Sequence, residues 1–330
     1  MRILFKYLIS GALALLVFMP FPSGQGTPLS DRMKKTGVAS PRLPYAVAVL
    51  PGIVESDRAV KAGLLFDVNE NKIVWEKGLY ASFPIASLTK LMTVLLILED
   101  IQDGKINWET TIPVTQEAAN IGSSKIWMKP GQVFTVEDLM KSAMISSAND
   151  ACYLLAQSSG GTEKAFVQRM NNKAYQLGMN NTYYVNTTGL PASKREMDNF
   201  SSPSDLLLLA KEVLKSEEIV KIACINKDQI CTVNQKFDLK NHNKLVADYP
   251  EIGGLKTGYT RKAGFCIVAT AQKEDKKVIG IVLGAMSPVQ RNDFVAKMFD
   301  NYYHDILCVG KLIKPVVPKQ STKKHKSKLS

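Results

Sequence analysis

Two strand-like segments lie near each end of the body of this chain, with a helical middle between them, and that arrangement most restricts the fold. "AGLLFDVNENKIVWEKG", from Ala62, reads as two strands around a "NEN" turn. "GFCIVATAQKEDKKVIGIVLGA", from Gly264, repeats the pattern as two Val/Ile-rich runs around "QKEDKK". Between them come helical segments: residues 87–100, "TVEDLMKSAMIS" from Thr135, "TEKAFVQRMNNKAYQLG" from Thr162 and "SPSDLLLLAKEVLKS" from Ser202. Several open on a Ser or Thr cap followed by acids, and Pro203 sits in one first turn. "SPVQRNDFVAKMFDNYY" reads as a last helix packing on the terminal strand pair. The fold class expected is α+β: an antiparallel sheet closed by both chain ends, flanked by helices, with a helical subdomain.

Charge separates this body from its ends. Of a formal net charge of +12, nine positive charges come from Arg2, Lys6 and seven lysines in residues 311–330, which leaves +3 for residues 7–310. Arg2 and Lys6 precede the apolar run "LISGALALLVFMPF", and Ser23 and Gly24 follow it. This is the pattern of an export signal over residues 1–25. The run is short and interrupted for a transmembrane helix. Residues 26–305 are then the folded domain, and 306–330 a lysine-rich tail expected to be disordered. The expected location is the periplasm or the outer face of the cytoplasmic membrane.

Five cysteines (Cys152, Cys224, Cys231, Cys266 and Cys308) are too sparse for a disulfide framework. Cys224 and Cys231 flank the turn-like "INKDQI", which allows one local bridge; Cys152 and Cys266 sit in apolar runs as buried thiols. Nothing has zinc spacing, and the three histidines (His242, His304 and His325) form no ligand pair, so no metal or cofactor is expected. A Ser–His–Asp triad is equally poorly supported.

"FPIASLTKLMT", residues 83–93, puts Ser87 three residues before Lys90 at the start of an apolar run. On a helix those positions share a face. Alone, the pair reads as well as a cap and a solvated lysine. "MISSANDACYLL" then supplies Ser147 and Asn149, and "GGLKTGYTRKAGF" places Lys256, Thr257 and Gly258 at the opening of a strand. Ser-x-x-Lys, Ser-x-Asn and Lys-Thr-Gly in this chain order mark penicillin-recognising serine acyl-transfer enzymes.

On these motifs the sequence resembles the serine-type D-alanyl-D-alanine carboxypeptidases, the low-molecular-mass penicillin-binding proteins of peptidase family S11. The likeness runs over residues 42–303 and includes "LGMNNTYYVNTTGLP", "NHNKLVADYPEIGGLKTGYT" and the closing strands. It implies a β-lactamase/transpeptidase-like fold and a peptidoglycan stem peptide ending in D-Ala-D-Ala as substrate. β-Lactams are the implied inhibitors. Many members carry a second β-rich domain and an amphipathic C-terminal helix. Here the residues after "MFDNYY" are lysine-rich, so neither is expected.

The roles follow from chemistry and resemblance together. Ser87 is the nucleophile, and Lys90 the base, which needs a pKa depressed by burial and a nearby cation such as Lys256. Ser147 relays a proton. Asn149 holds Lys90 or the substrate amide. Lys256 and Thr257 suit a terminal carboxylate, and Gly258 permits close approach. The resemblance implies an oxyanion hole of the Ser87 and Tyr259 backbone N–H groups. Arg291 is a candidate for steering the carboxylate, against an even alternative as a surface helix residue. Asp150 reads as a helix-start acid, Met128, Met140 and Met144 as core, and Trp75, Trp108 and Trp127 as packing.

A class A β-lactamase shares the three elements but needs a Glu for deacylation, and "YYVNTTGLPASK" contains no acid. A D,D-endopeptidase of the same family remains open. The export signal argues against a nucleic-acid partner. The tail suits an anionic membrane surface instead.

Overall fold

The computed structural model describes residues 57–191, 198–233 and 235–312. The export signal, the lead-in and the chain beyond Leu312 lie outside them, as does the Cys308 side chain.

The chain ends do build one sheet. A turn at Asp57–Ala59 leads into β1 (Ala62–Asp67) and β2 (Lys72–Lys77). A short β3 (Phe83–Pro84) precedes a 3-10 turn, Ala86–Thr89, and helix α1 (Lys90–Gln102). Next come β4 (Thr111–Pro113), α2 (Gln116–Asn120), β5 (Val133–Thr135), α3 (Val136–Met144), α4 (Asn149–Gly160) and α5 (Glu163–Gln176). They are followed by β6 (Phe200–Ser201), α6 (Pro203–Val213), α7 (Glu217–Ala223), β7 (Lys227–Thr232), β8 (Gln235–Lys240) and α8 (Leu245–Asp248). The chain closes with β9 (Ile252–Thr260), β10 (Gly264–Lys273), β11 (Lys276–Ala285) and α9 (Pro288–Leu312).

The main sheet has the order β2-β1-β11-β10-β9, antiparallel throughout. Its central strands are buried on both faces, so their side chains alternate between two cores. Leu64, Phe66, Cys266, Val268, Ile279 and Ile281 face one core, built with α1, α3, α4, α5 and α6. Leu65, Ile267, Ala269, Val278 and Val282 face the other, filled by Phe294, Val295, Met298 and Phe299 of α9. The α1 helix is buried all round, as its "LMTVLLIL" run requires. The caps read from sequence act as such: Thr135 makes a capping box with Asp138, and Thr162 and Ser202 cap α5 and α6.

Several sequence expectations are corrected. The helix expected from residue 87 begins as a 3-10 turn and becomes α-helical only at Lys90. Lys256 lies in mid-strand, because β9 opens at Ile252. "INKDQI" is no turn: its last residues form β7 of a hairpin whose exposed strands bury only Ile230, Phe237 and Leu239. Cys224 and Cys231 are both free and exposed. The tail begins later than residue 306, since α9 runs to Leu312 through "ILCVGKL" with no proline before Pro315. Trp75 is core, stacked edge-on against Phe294, and Trp108 is half-buried, but Trp127 is 70% exposed.

Candidate active site

Ser87 stands on the 3-10 turn before α1. Such a turn has three residues per turn, so positions i and i+3 eclipse and Ser87 projects beside Lys90. The turn is entered through Ala86 at φ +48, a left-handed conformation rarely adopted by alanine. It is held by Thr89, whose hydroxyl donates to the Ala86 carbonyl at 2.8 Å, and by Asn199, which donates to the Thr89 hydroxyl at 2.8 Å. Gly189, at φ +83, packs against it so closely that a Cβ there would lie 1.9 Å from the Ala86 oxygen and 2.9 Å from the Ser87 nitrogen. Gly189→Ala is therefore expected to cost at least about 2 kcal/mol of stability and to slow acylation of Ser87. The urea midpoint and the initial rate of penicillin labelling check this; wild-type values for both would show that the two backbones separate freely.

Lys90 is fully buried. Its Nζ donates to Ser87 Oγ at 2.9 Å, to Asn149 Oδ1 at 2.7 Å and to the Thr188 carbonyl at 2.7 Å. Asn149 in turn donates through Nδ2 to the Gly122 carbonyl at 3.0 Å, which fixes its amide orientation. Of the three partners, only the Ser87 hydroxyl can also donate. When Lys90 is neutral, its two N–H bonds satisfy Asn149 and Thr188, and its lone pair is left facing Ser87. Burial brings the Lys90 pKa down to about 8, while Cys152 and Asp150 act the other way. Lys256 is the nearby cation, and the two buried amines each disfavour charge on the other. Lys256 is pushed well below its ordinary value by burial and then by the charge of Lys90.

Ser147 sits between α3 and α4 at φ +55, buried and lining the same cleft. Its hydroxyl makes no hydrogen bond to Ser87 or Lys90, so a proton relay through it is not preassembled. The loop is fixed instead by its neighbours: Ser124 donates to the Ser146 carbonyl at 3.0 Å, and Asn149 N donates to the Ser124 carbonyl at 2.7 Å. Asp150 behaves as a helix-start acid that also ties a loop. Buried, with its pKa raised by that burial, it accepts from the N–H groups of Ile126, Met128 and Ala151.

The edge strand β9 forms the opposite wall. Lys256 is buried, with Nζ donating to the Thr257 carbonyl at 3.2 Å, and Thr257 lines the cleft. Gly258 lets the strand approach the nucleophile turn: a Cβ there would be 2.9 Å from the Ile85 oxygen and 3.0 Å from the Ser87 nitrogen. Tyr259 is 57% exposed and stacks on Phe265, with ring centroids 4.2 Å apart. Arg291 is not a surface residue. It is buried at the start of α9, lines the cleft and donates through Nε and Nη2 to Asn292 Oδ1 at 3.0 and 2.8 Å. Burial lowers its pKa to about 10.

The cleft has a volume of about 620 Å³ and brings together Ser87, Ser147, Asn149, Thr257, Gly258, Tyr259 and Arg291, with Lys90 and Lys256 beneath. Sequence reasoning missed Ser124, Lys240, His242, Lys244 and Arg261, which also line it. The His242 pKa is lowered by burial and then by Lys256, Lys90 and Arg291. A basic and polar "LKNHNK" stretch just ahead of "GGLKTGYT" was the available signal. Among the described residues, no group of His, Cys, Asp and Glu side chains has metal-ligand geometry.

Relatives share this framework. The chain is 38% identical over 260 residues to the D-alanyl-D-alanine carboxypeptidase DacF of Bacillus subtilis, a match spanning 78% of this chain and 66% of DacF. It is 30% identical over 254 residues to a D-alanyl-D-alanine endopeptidase of Escherichia coli, covering 75% of this chain and 79% of that protein. The crystal structure of penicillin-binding protein D2 from Listeria monocytogenes in its ampicillin-bound form superposes with a TM-score of 0.65 at 28% identity, over 74% of this chain and 97% of that one. The chain thus spans less than two thirds of DacF, and 56% and 58% of two further carboxypeptidases of Escherichia coli. The family profile described as D-alanyl-D-alanine carboxypeptidase matches residues 52–287, from ahead of β1 to just past the end of β11, and so includes every cleft-lining residue except Pro288 and Arg291 of α9. By that match the chain belongs to peptidase family S11, the D-alanyl-D-alanine carboxypeptidases.

Proposed function

We propose that this chain is a serine D,D-carboxypeptidase that removes the terminal D-Ala from peptidoglycan stem peptides through an acyl-enzyme on Ser87. The observation that carries this is the fully buried Lys90 Nζ, held 2.9 Å from Ser87 Oγ by two acceptors, Asn149 Oδ1 and the Thr188 carbonyl. In the acylation step Lys90 takes the Ser87 proton as Oγ attacks the penultimate D-Ala carbonyl. The oxyanion faces the backbone N–H groups of Ser87 and Tyr259, which Gly258 brings together. Lys256, Thr257 and Arg291 receive the terminal carboxylate. The D-Ala amine leaves with the proton, which Ser147 can pass on once substrate fills the cleft.

A β-lactam enters the same cleft, but its leaving amine stays tethered after ring opening. Among the described residues no acid lines the cleft to activate water, and the nearby Glu163 is occupied by the N–H and hydroxyl of Thr187. Intact mass after one equivalent of penicillin is expected to hold at the acylated value, while a D-Ala-D-Ala peptide is turned over before labelling and not after it. Rapid return to the free mass with multiple equivalents hydrolysed would favour a β-lactamase. The chain's 79% coverage of the endopeptidase relative favours cross-link cleavage as a second reading. Muropeptide digests separate the two by product.

The Lys90 pKa gives a pH dependence. Neutral Lys90 is the active form, and with a pKa of about 8 only about a tenth is neutral at pH 7. The second-order rate of penicillin labelling is expected to climb about tenfold per unit below pH 8 and to level off above it. A flat profile from about pH 6 to 9 would remove Lys90 as the base.

The place of action that fits is the outer face of the cytoplasmic membrane or the periplasm, with the lysine-rich end holding anionic headgroups. Truncation after Leu312 is expected to leave turnover and melting temperature nearly unchanged and to weaken binding to anionic vesicles, most at low salt. A large drop in melting temperature would mean that the removed residues pack on the body.

A further inference from the structure

The cleft holds more positive charge than the proposed reaction uses. Lys256, Thr257 and Arg291 suffice for one terminal carboxylate. Lys240, Lys244 and Arg261 line the same cavity, all three exposed, and none has a side-chain hydrogen bond or ion pair among the described residues. No described Asp or Glu lines it. Lys240 also stands directly across the β7–β8 pair from Lys227, a like-charge pairing that is unfavourable by itself. Lys262, one residue beyond Arg261, is paired instead with Asp198 at 3.2 Å and does not line the cleft.

The position of Arg261 shows which part of a peptide these charges meet. β9 is the edge strand, so an extended peptide can lie along it. The terminal carboxylate belongs at Thr257 and the reacting carbonyl at the Tyr259 N–H. Residues upstream of the reacting carbonyl therefore continue past Thr260 to Arg261. At roughly 3.3 Å per residue, Thr260 at the end of β9 lies about 10 Å beyond Thr257, and Arg261, the first residue of the turn that follows, lines the cleft at that end, level with the third residue from the C-terminus.

We infer that the cleft selects stem peptides whose third residue from the C-terminus carries a second carboxylate, read by Arg261 with Lys240 and Lys244. The inference rests on the D,D-peptidase reading above. N-acetylated tripeptides Xaa-D-Ala-D-Ala, with Xaa as Glu, Gln or Lys, test it. The kcat/KM is expected to fall in the order Glu, Gln, Lys, with Glu over Gln by about five- to tenfold near 0.02 M salt and the ratio shrinking near 0.5 M. In an Arg261→Gln/Lys244→Gln double variant the Glu-to-Gln ratio is expected to approach one. Lys262→Gln, which removes a charge outside the cleft, is expected to keep the wild-type ratio. Equal kcat/KM for the three peptides, or an undiminished ratio in the double variant, overturns the inference and leaves the peptidase reading standing. Failure of both peptide cleavage and penicillin labelling of Ser87 overturns that reading and this inference with it.

Discussion

Ser87→Ala is expected to lose peptide turnover by about 10⁴-fold or more and to lose covalent penicillin labelling altogether. The fold has little to lose with the hydroxyl. Ser87 is half-buried, its side chain accepts only from Lys90, and Lys90 keeps Asn149 and Thr188 as acceptors. The turn is held by Thr89, Asn199 and Gly189 rather than by Ser87 itself. The melting temperature should therefore stay within a few degrees of wild type, and reversible penicillin binding should persist. Intact mass with excess penicillin decides the matter: a penicilloyl adduct on a folded Ser87→Ala protein would place the nucleophile elsewhere.

Lys90→Met is expected to lower acylation by about a thousandfold or more while leaving the protein folded. Two opposing effects set its stability. Removing a buried amine whose pKa is depressed to about 8 relieves about 3 kcal/mol at neutral pH. Leaving Asn149 Oδ1 and the Thr188 carbonyl without donors costs about 1–3 kcal/mol each. These nearly cancel, so a small shift in melting temperature of either sign is consistent with the geometry. Their pH dependence does not cancel. Between about pH 8 and the ordinary lysine value the unfolded chain holds a proton that the folded chain has released. Wild type therefore gains stability as pH rises through that window, and Lys90→Met should lack the gain. Wild-type labelling rates in the variant would exclude Lys90 as the base.

The parts of the site legible in the sequence were those within a few residues of one another. Ser87 and Lys90 are three residues apart, Ser147 and Asn149 two, and Lys256 to Tyr259 are consecutive, so local geometry fixes their relation. What stayed hidden depends on contacts across the chain. The Thr188 carbonyl reaches Lys90 from 98 positions away. From sequence Arg291 reads equally as a carboxylate-steering residue and as a surface helix residue, because its burial depends on where α9 begins against the cleft, which no periodicity of its own helix records. The left-handed backbone at Ala86 and Ser147 was equally silent, since neither residue type announces φ above zero. The β7–β8 hairpin was missed because two strands that bury three side chains carry almost no hydrophobic pattern. The main sheet was legible for the opposite reason: its strands bury both faces and read as continuous apolar runs.

The place of β11 has a consequence in time. Among the described residues it is the last strand, yet it lies between the β2–β1 pair and the β10–β9 pair. Until it arrives, the first pair is an isolated hairpin, marginal by itself, and nothing anchors it to the rest of the sheet. The Ser87 turn and the strand facing it are likewise far apart in sequence, so their meeting waits on long-range closure, the slow step for such topologies. Refolding should thus pass through a period with helices formed and no acylating power. The moment at which the chain first captures penicillin would then time the insertion of β11.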